Sequence, residues 1–398
     1  MSRRRAGRAL WALLLLDGAA IGAVFPFLTV MLQSRGFDAF QIGLITAASS
    51  TAFTVALPAW GHVADTILGR VRALQIAGLG AGLALLVFLG PLPALALAAC
   101  IVVFTILEAP VAALADALVV NAVSDPARSY PRLRVLFSLA MAVTTIGLGI
   151  VLERTGYGAV PIFYALAIVG VAITAGLVPD VARATLEHDG SVRGGAVRAA
   201  YVAQPRLPII LLAVGLAFFG VTVSINFLPL RLAQLGGGPT DVALSSGLAS
   251  LAEIPASLVA GWIAARGGLR GLFVVSTLLY ATALASWVVI DSIGVIIATR
   301  AVTGAAFAGL FVAIVLTMQS TLPERLQGTG QGLFQATAFG AAAIVADVVG
   351  GILFGSVGAA WLFALAAGFS VLAVVVGWVA LPVRATATEQ LALPIVPG

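Results

Sequence analysis

The stretch ALWALLLLDGAAIGAVFPFLTVMLQ, Ala9–Gln33, is almost wholly apolar, yet it carries a carboxylate at Asp17. In water such an acid is ordinary. At the centre of a membrane-spanning helix it costs about 2.5–3.5 kcal/mol on insertion scales. The solvent in which the chain folds therefore decides how every other polar residue is read.

Composition settles that solvent. Of 398 residues, 61% are hydrophobic and 9% charged, against roughly 25% charged in a soluble domain. The mean hydropathy is +1.13. Too little polar surface is left to cover a soluble globule, so an all-α polytopic membrane protein with a lipid bilayer around it is expected. All 21 basic residues are Arg. They are spread over short loops, where they act as orientation signals, so the pI near 10.1 does not point to nucleic acid. Cys100 is the only cysteine and permits no disulfide framework. The start, MSRRRAGRAL (Met1–Leu10), resembles the basic end of a signal peptide. The apolar run behind it is too long for a cleaved one, so an uncleaved first span is expected.

A span needs about 20 apolar residues. Charges, Gly and Pro divide the chain into twelve such runs, at 9–32, 40–63, 73–90, 94–119, 131–152, 159–179, 207–231, 241–264, 271–290, 293–318, 329–354 and 359–381. No segment shows the alternation of a membrane barrel. With an even count both termini share one side. Put inside, that side carries Arg3, Arg4, Arg5, Arg8, Arg70, Arg72, Arg128, Arg132, Arg134, Arg183, Arg193, Arg198, Arg206, Arg266, Arg270, Arg325 and Arg384. The other side carries Arg35, Arg154 and Arg231. The positive-inside rule then predicts a multi-pass protein of the inner membrane with cytoplasmic termini. The longest connection, Asp180–Arg206, is polar and Arg-rich. It separates a six-span half (1–180) from a second six-span half with a short tail (207–398), with 181–206 as a cytoplasmic linker.

The halves repeat. GHVADTILGRVR (Gly61–Arg72) follows the second span and GWIAARGGLR (Gly261–Arg270) the eighth; FPFL starts at Phe25 and FLPL at Phe227. Duplicated halves imply a pseudo-twofold along the membrane normal and a site between them at mid-depth. The Gly61 stretch resembles the loop signature of the major facilitator superfamily, carried here by Gly61, Asp65, Gly69, Arg70 and Arg72. One extra residue precedes Gly69, Thr66 stands where the signature has Arg, and Ala265 replaces the acid in the second copy. The resemblance implies that this loop gates the inner face through charge contacts; a tight turn with basic anchors is the plainer reading. It also implies the major facilitator fold, two six-helix bundles moving by alternating access.

Within that superfamily, IGAVFPF (Ile21–Phe27), YPRLRVLFSLA (Tyr130–Ala140), RLQGTGQGLFQ (Arg325–Gln335) and GGILFGSVG (Gly350–Gly358) are similar to the lactose permease and phenylpropionate permease branch. Asp116 precedes Arg134 by 18 residues, the separation at which the lactose permease holds its sugar between a carboxylate and an Arg. That permease's stacking Trp is Met141 here, and its His-x-x-Glu relay falls near Thr303 and Ala306. Its own proton relay is therefore missing.

Each intramembrane polar residue has a functional and a structural reading. Asp116 and Arg134 suit solute binding or an ion pair tying the fourth span to the fifth. Glu108, about 80° from Asp116 on one helix, faces the same cavity on the first reading. Asn226 and Ser224, and the i, i+4 pair Gln331 and Gln335, suit cavity lining or interhelical hydrogen bonds. Glu253, Asp17 and Asp347 suit proton coupling or structural pairing; Arg300, which keeps its proton, is a counter-ion and a partner for Glu253. Asp17 lies beside Gly18 and Gly22, a face that permits close packing, and is expected to face a wet cavity.

No hydrolase, zinc-protease or nucleotide-binding motif occurs, nor a His or Cys cluster for a metal. Neither enzymatic activity nor a cofactor is expected. The leading expectation is a secondary transporter, a permease that works as a monomer and moves a small polar solute (sugar, nucleoside or aromatic acid) by proton-coupled symport. Efflux by proton-coupled antiport of drugs or metabolites is the alternative. The antiporters' fifth-span signature is Gly- and Pro-rich, but the stretch AVTTIGLGIVLERTG here has Gly and no Pro. An intramembrane enzyme or a sensor is the third.

Overall fold

A computed structural model describes residues 3–122, 126–178, 193–266 and 268–382, with no account of the side chains of 3–8, 126–134 and 193–194. Among the described residues there is no strand. Twelve helices are long and apolar enough to cross a membrane: α1 Ala9–Ser34, α2 Ala39–Leu68, α3 Arg70–Val87, α4 Ala94–Ala122, α5 Val135–Thr155, α6 Ala159–Gly176, α7 Leu207–Gln234, α8 Pro239–Ala265, α9 Leu269–Val289, α10 Ile293–Thr321, α11 Glu324–Ser356 and α12 Ala359–Ala380. A further helix, Arg193–Ala203, lies in the segment between α6 and α7.

Local chemistry sets the ends. Asp38 caps α2: the Gln41 amide donates to its Oδ1 at 2.8 Å, and its own amide donates to Gln41 Oε1 at 3.1 Å. Pro239 fills the first turn of α8, where a missing N–H costs nothing. α3 starts at Arg70 rather than near 73 because Gly69, at φ +76°, breaks the chain direction there. α11 starts behind Pro323 rather than at 329.

The duplication is visible in the backbone. Left-handed glycines close the first and seventh helices (Gly36, Gly236) and precede the sixth and twelfth (Gly156, Gly358). α1 tightens into a 3-10 turn over Phe25–Phe27, and α7 is interrupted at Phe227, each beside a proline. Three helices are also irregular at mid-length or at an end. α4 breaks after Glu108 and resumes at Val111, and π-type turns occupy Ala64–Leu68 of α2 and Ala336–Ala341 of α11.

Within one half α1 packs on α5 and α6; within the other α7 packs on α12 and α8 on α10. The halves meet along two seams, α2 on α11 and α5 on α8. Successive spans alternate in direction, so the ends of α1 and α12 nearest the chain termini share one face. We call it the terminal face, and the opposite one the far face.

Candidate functional site

Both seams are sealed at one end only. α2 buries Ile42, Gly43, Ile45, Thr46, Ala47 and Ser49 toward the far face, but only Ala56 and Ala64 toward the terminal face. α8 does the same: six residues from Val242 to Ser250 are buried, then only Ala260 and Ala264. Glycines permit the close approach. A Cβ on Gly43 would stand 2.5 Å from the Asp347 carbonyl oxygen and 2.7 Å from Gly351 Cα; one on Gly149 would stand 2.2 Å from Ala243 Cβ. Among the described residues, the hydrogen bonds crossing between the halves also lie there. The Thr240 amide donates to Glu153 Oε1 at 3.0 Å, and the Thr240 hydroxyl to the Gly149 carbonyl at 3.4 Å.

The third crossing bond involves Asp347, whose side chain is wholly buried in α11. Asn226 of α7 donates to its Oδ1 at 2.6 Å, and Ser50 of α2 donates to its Oδ2 at 3.1 Å. One carboxyl thus joins its own half to the other one, through neutral donors.

In the C-terminal half, Arg300 is 7% exposed on α10 and donates to Thr303 Oγ1 at 2.9 Å. Its charge acts on Glu253 of α8 and on Tyr280 of α9. The Tyr280 and Ser224 hydroxyls are 2.5 Å apart. This node is half-open: Glu253 is partly exposed while Arg300 is buried.

In the N-terminal half, Glu108 of α4 receives the Tyr164 hydroxyl of α6 on Oε2. Phe104 meets the Tyr164 ring edge-on at 5.2 Å between centroids. Asp17 lies near enough for its charge to act on both Glu108 and Tyr164. It has no accessible surface, so in this conformation it faces neither lipid nor a wet cavity. Gly18 and Gly22 beside it press against Phe137 and Met141 of α5.

The remaining sequence candidates are more scattered. Asp116 is half-buried on α4, but the side chain of Arg134 lies outside the described residues, so their pairing does too. Gln331 donates to the Val315 carbonyl of α10 at 2.9 Å, and Gln335 is exposed at the end of its helical segment. At the α2–α3 junction, Arg70 at the start of α3 stands 3.6 Å from Asp65 in the last turn of α2; Gly61 has open space beside it and Arg72 is exposed. Two apolar grooves of about 450 and 460 Å³ lie within single halves. One touches α1, α5 and α6, the other their repeats α7, α11 and α12. Neither lies between the halves.

The MFS_1 like family model matches residues 9–365. The chain belongs to that family. This MFS_1-like transporter is 26% identical over 353 residues to a maltose permease of Geobacillus stearothermophilus, covering 86% of this chain and 87% of that one. Its fold matches that of the nucleoside transporter NupG, with a TM-score of 0.79 and 15% identity over 94% of this chain and 98% of that one. It also matches a D-xylose-proton symporter, with a TM-score of 0.71 and 14% identity over 94% and 97%. The superfamily, the twelve-helix fold and a multi-span membrane transporter, all expected from the sequence, therefore stand.

Sequence reasoning about this MFS_1-like chain missed Tyr164, Tyr280 and Ser50. Ser50 carried a readable signal, because hydroxyls recur at i, i+4 in an apolar helix, at Thr46, Ser50 and Thr54, and mark one polar face. The tyrosines did not, since a lone Tyr in an apolar run looks like any other large side chain.

Proposed function

We propose that this protein is a secondary transporter carrying a small polar organic solute, of the sugar class first, into the cell by alternating access with protons as the coupling ion. The observation that carries the reading is the one-sided seal. α2 and α8 are buried at their far ends and largely unburied at their terminal ends, as expected for one of two states related by rocking the halves. The Arg distribution supports a cytoplasmic terminal face in the inner membrane, which makes this the inward-open state. The names of the relatives, a maltose permease above all, support the sugar class. A monomer is the working unit.

The solute-contact residues we propose are Asp116, Arg134, Asn226, Gln335 and Gln331, whose donors and acceptors match a polyhydroxylated solute. Glu253, Asp347 and Asp17 are the proposed coupling acids, with Arg300 as fixed counter-charge. The segment of Gly61, Asp65, Gly69, Arg70 and Arg72 is proposed as the inner gate.

Proteoliposomes with an imposed pH gradient test this. Radiolabelled maltose, xylose and uridine are offered in parallel. The expected result is accumulation of one sugar, abolished by a protonophore. Uptake indifferent to the gradient removes proton coupling; uridine alone moving removes the sugar class; gradient-driven extrusion from preloaded vesicles makes the protein an antiporter.

A further inference from the structure

Glu108 is treated unequally at its two oxygens. Oε2 accepts from Tyr164, while Oε1 is shut off from solvent with no hydrogen-bond partner. The whole residue is 5% exposed. A solute in the crevice between the halves does not reach a carboxyl so enclosed. An anion with an orphaned oxygen in such a place is costly. The groups that face Glu108 are few among the described residues. α1 supplies Asp17 and α6 supplies Tyr164. On neighbouring helices, Trp60 of α2 donates to the Ile106 carbonyl, and Gly80 of α3 lies against Leu107.

The backbone at this point is built to move. α4 stops at Glu108 and restarts at Val111. Pro110 has no N–H to give to the carbonyl four residues back, that of Ile106. That carbonyl is taken instead by the indole N–H of Trp60, at 3.0 Å. Trp60 sits in the terminal-side part of α2, the helix whose far part forms a seam with α11. A bend at the α4 joint changes how Glu108 meets Tyr164, and the Trp60 hydrogen bond ties α2 to that joint.

We propose that Glu108 is a proton-binding site inside the N-terminal half, occupied by a proton in the conformation described here and emptied as the α4 joint at Pro110 flexes. As neutral acid, Oε1 becomes a hydroxyl and Oε2 keeps the Tyr164 donor; on release the proton passes to water admitted as the joint opens and Glu108 becomes the anion. Glu108 is thereby moved from solute contact to proton handling. Its coupling role, though not its proton, rests on the reading of proton-driven transport above.

The test has two arms. Infrared difference spectroscopy on the reconstituted protein, titrated through neutral pH, reads the carbonyl stretch of protonated carboxyls without any solute. The expected result is loss of one such band in Glu108→Gln and a changed band position in Tyr164→Phe, which keeps the ring and its packing. Unchanged spectra in both variants overturn the site. The second arm uses maltose, or whichever sugar the preceding assay selects. Glu108→Gln is expected to retain exchange across the membrane and lose gradient-driven accumulation. Accumulation equal to wild type overturns the coupling role. A wild type indifferent to the gradient fails the transport reading instead, and the infrared arm still decides the proton site.

Discussion

Replacing Gly43 by Ala should prise the far face open. The added Cβ would stand 2.5 Å from the Asp347 carbonyl oxygen and 2.7 Å from Gly351 Cα. Both obstacles are backbone, so no side-chain rotation relieves them. Overpacking of this kind costs about 1–3 kcal/mol. The cost falls only on the conformation in which α2 and α11 touch; when the halves part on the far side it vanishes. The equilibrium should therefore move toward the far-open state by about 5- to 150-fold. The assay is the labelling rate of a buried cysteine by a charged thiol reagent. Val242, 1% exposed near the far end of α8, becomes the reporter as Val242→Cys once Cys100 is replaced by Ala. It lies on neither α2 nor α11, so faster labelling reports opening of the whole face rather than a local disturbance. If Gly43→Ala protein melts as a folded protein but labels at the parent rate, the seam is packing and not a gate.

Three further outcomes follow from the same geometry. Ser50→Ala removes the cross-half bond to Asp347 and should speed labelling of the same reporter by about 5-fold, for a hydrogen bond of about 1 kcal/mol; no change would make that bond incidental to closure. Trp60→Phe should lower the melting temperature by orphaning the Ile106 carbonyl, and Pro110→Ala in the same chain should restore it, because the new N–H takes over that carbonyl. A double-mutant coupling near zero instead of about 1 kcal/mol would show the two residues to be independent. Asp116→Ala and Arg134→Ala should each abolish solute uptake with expression retained, read by transport and by membrane yield. Normal uptake in both would remove them from the solute site.

Much of the architecture was legible because it depends on solvent alone. A bilayer demands long apolar runs with satisfied backbones, and such runs can be counted without knowing what packs on what. The linker helix and the irregular turns in α2, α4 and α11 were less visible. Pro110 announced the break in α4, while the turn at Ala336–Ala341 has no breaker except Gly340, which lies against Thr54 of α2. That irregularity comes from fit between helices. The polar candidates were legible as a set, since every acid in a span stands out against its neighbours. Their roles were not. Asp17 and Glu108 looked like two cavity residues and are enclosed together; Asp347 looked like one acid among several and spans both halves.

The sequence by itself determined the membrane, the twelve spans, the duplication and the resemblance to a transporter family, because hydropathy, repeat spacing and motif residues are properties of the linear chain. Only the tertiary structure decided which acids meet, which face is shut, and that Trp60 replaces the hydrogen bond Pro110 removed. Those depend on contacts between residues tens to hundreds of positions apart. In a helical bundle such contacts follow from how close the backbones can come, which glycines on one helix settle only together with what the facing helix presents.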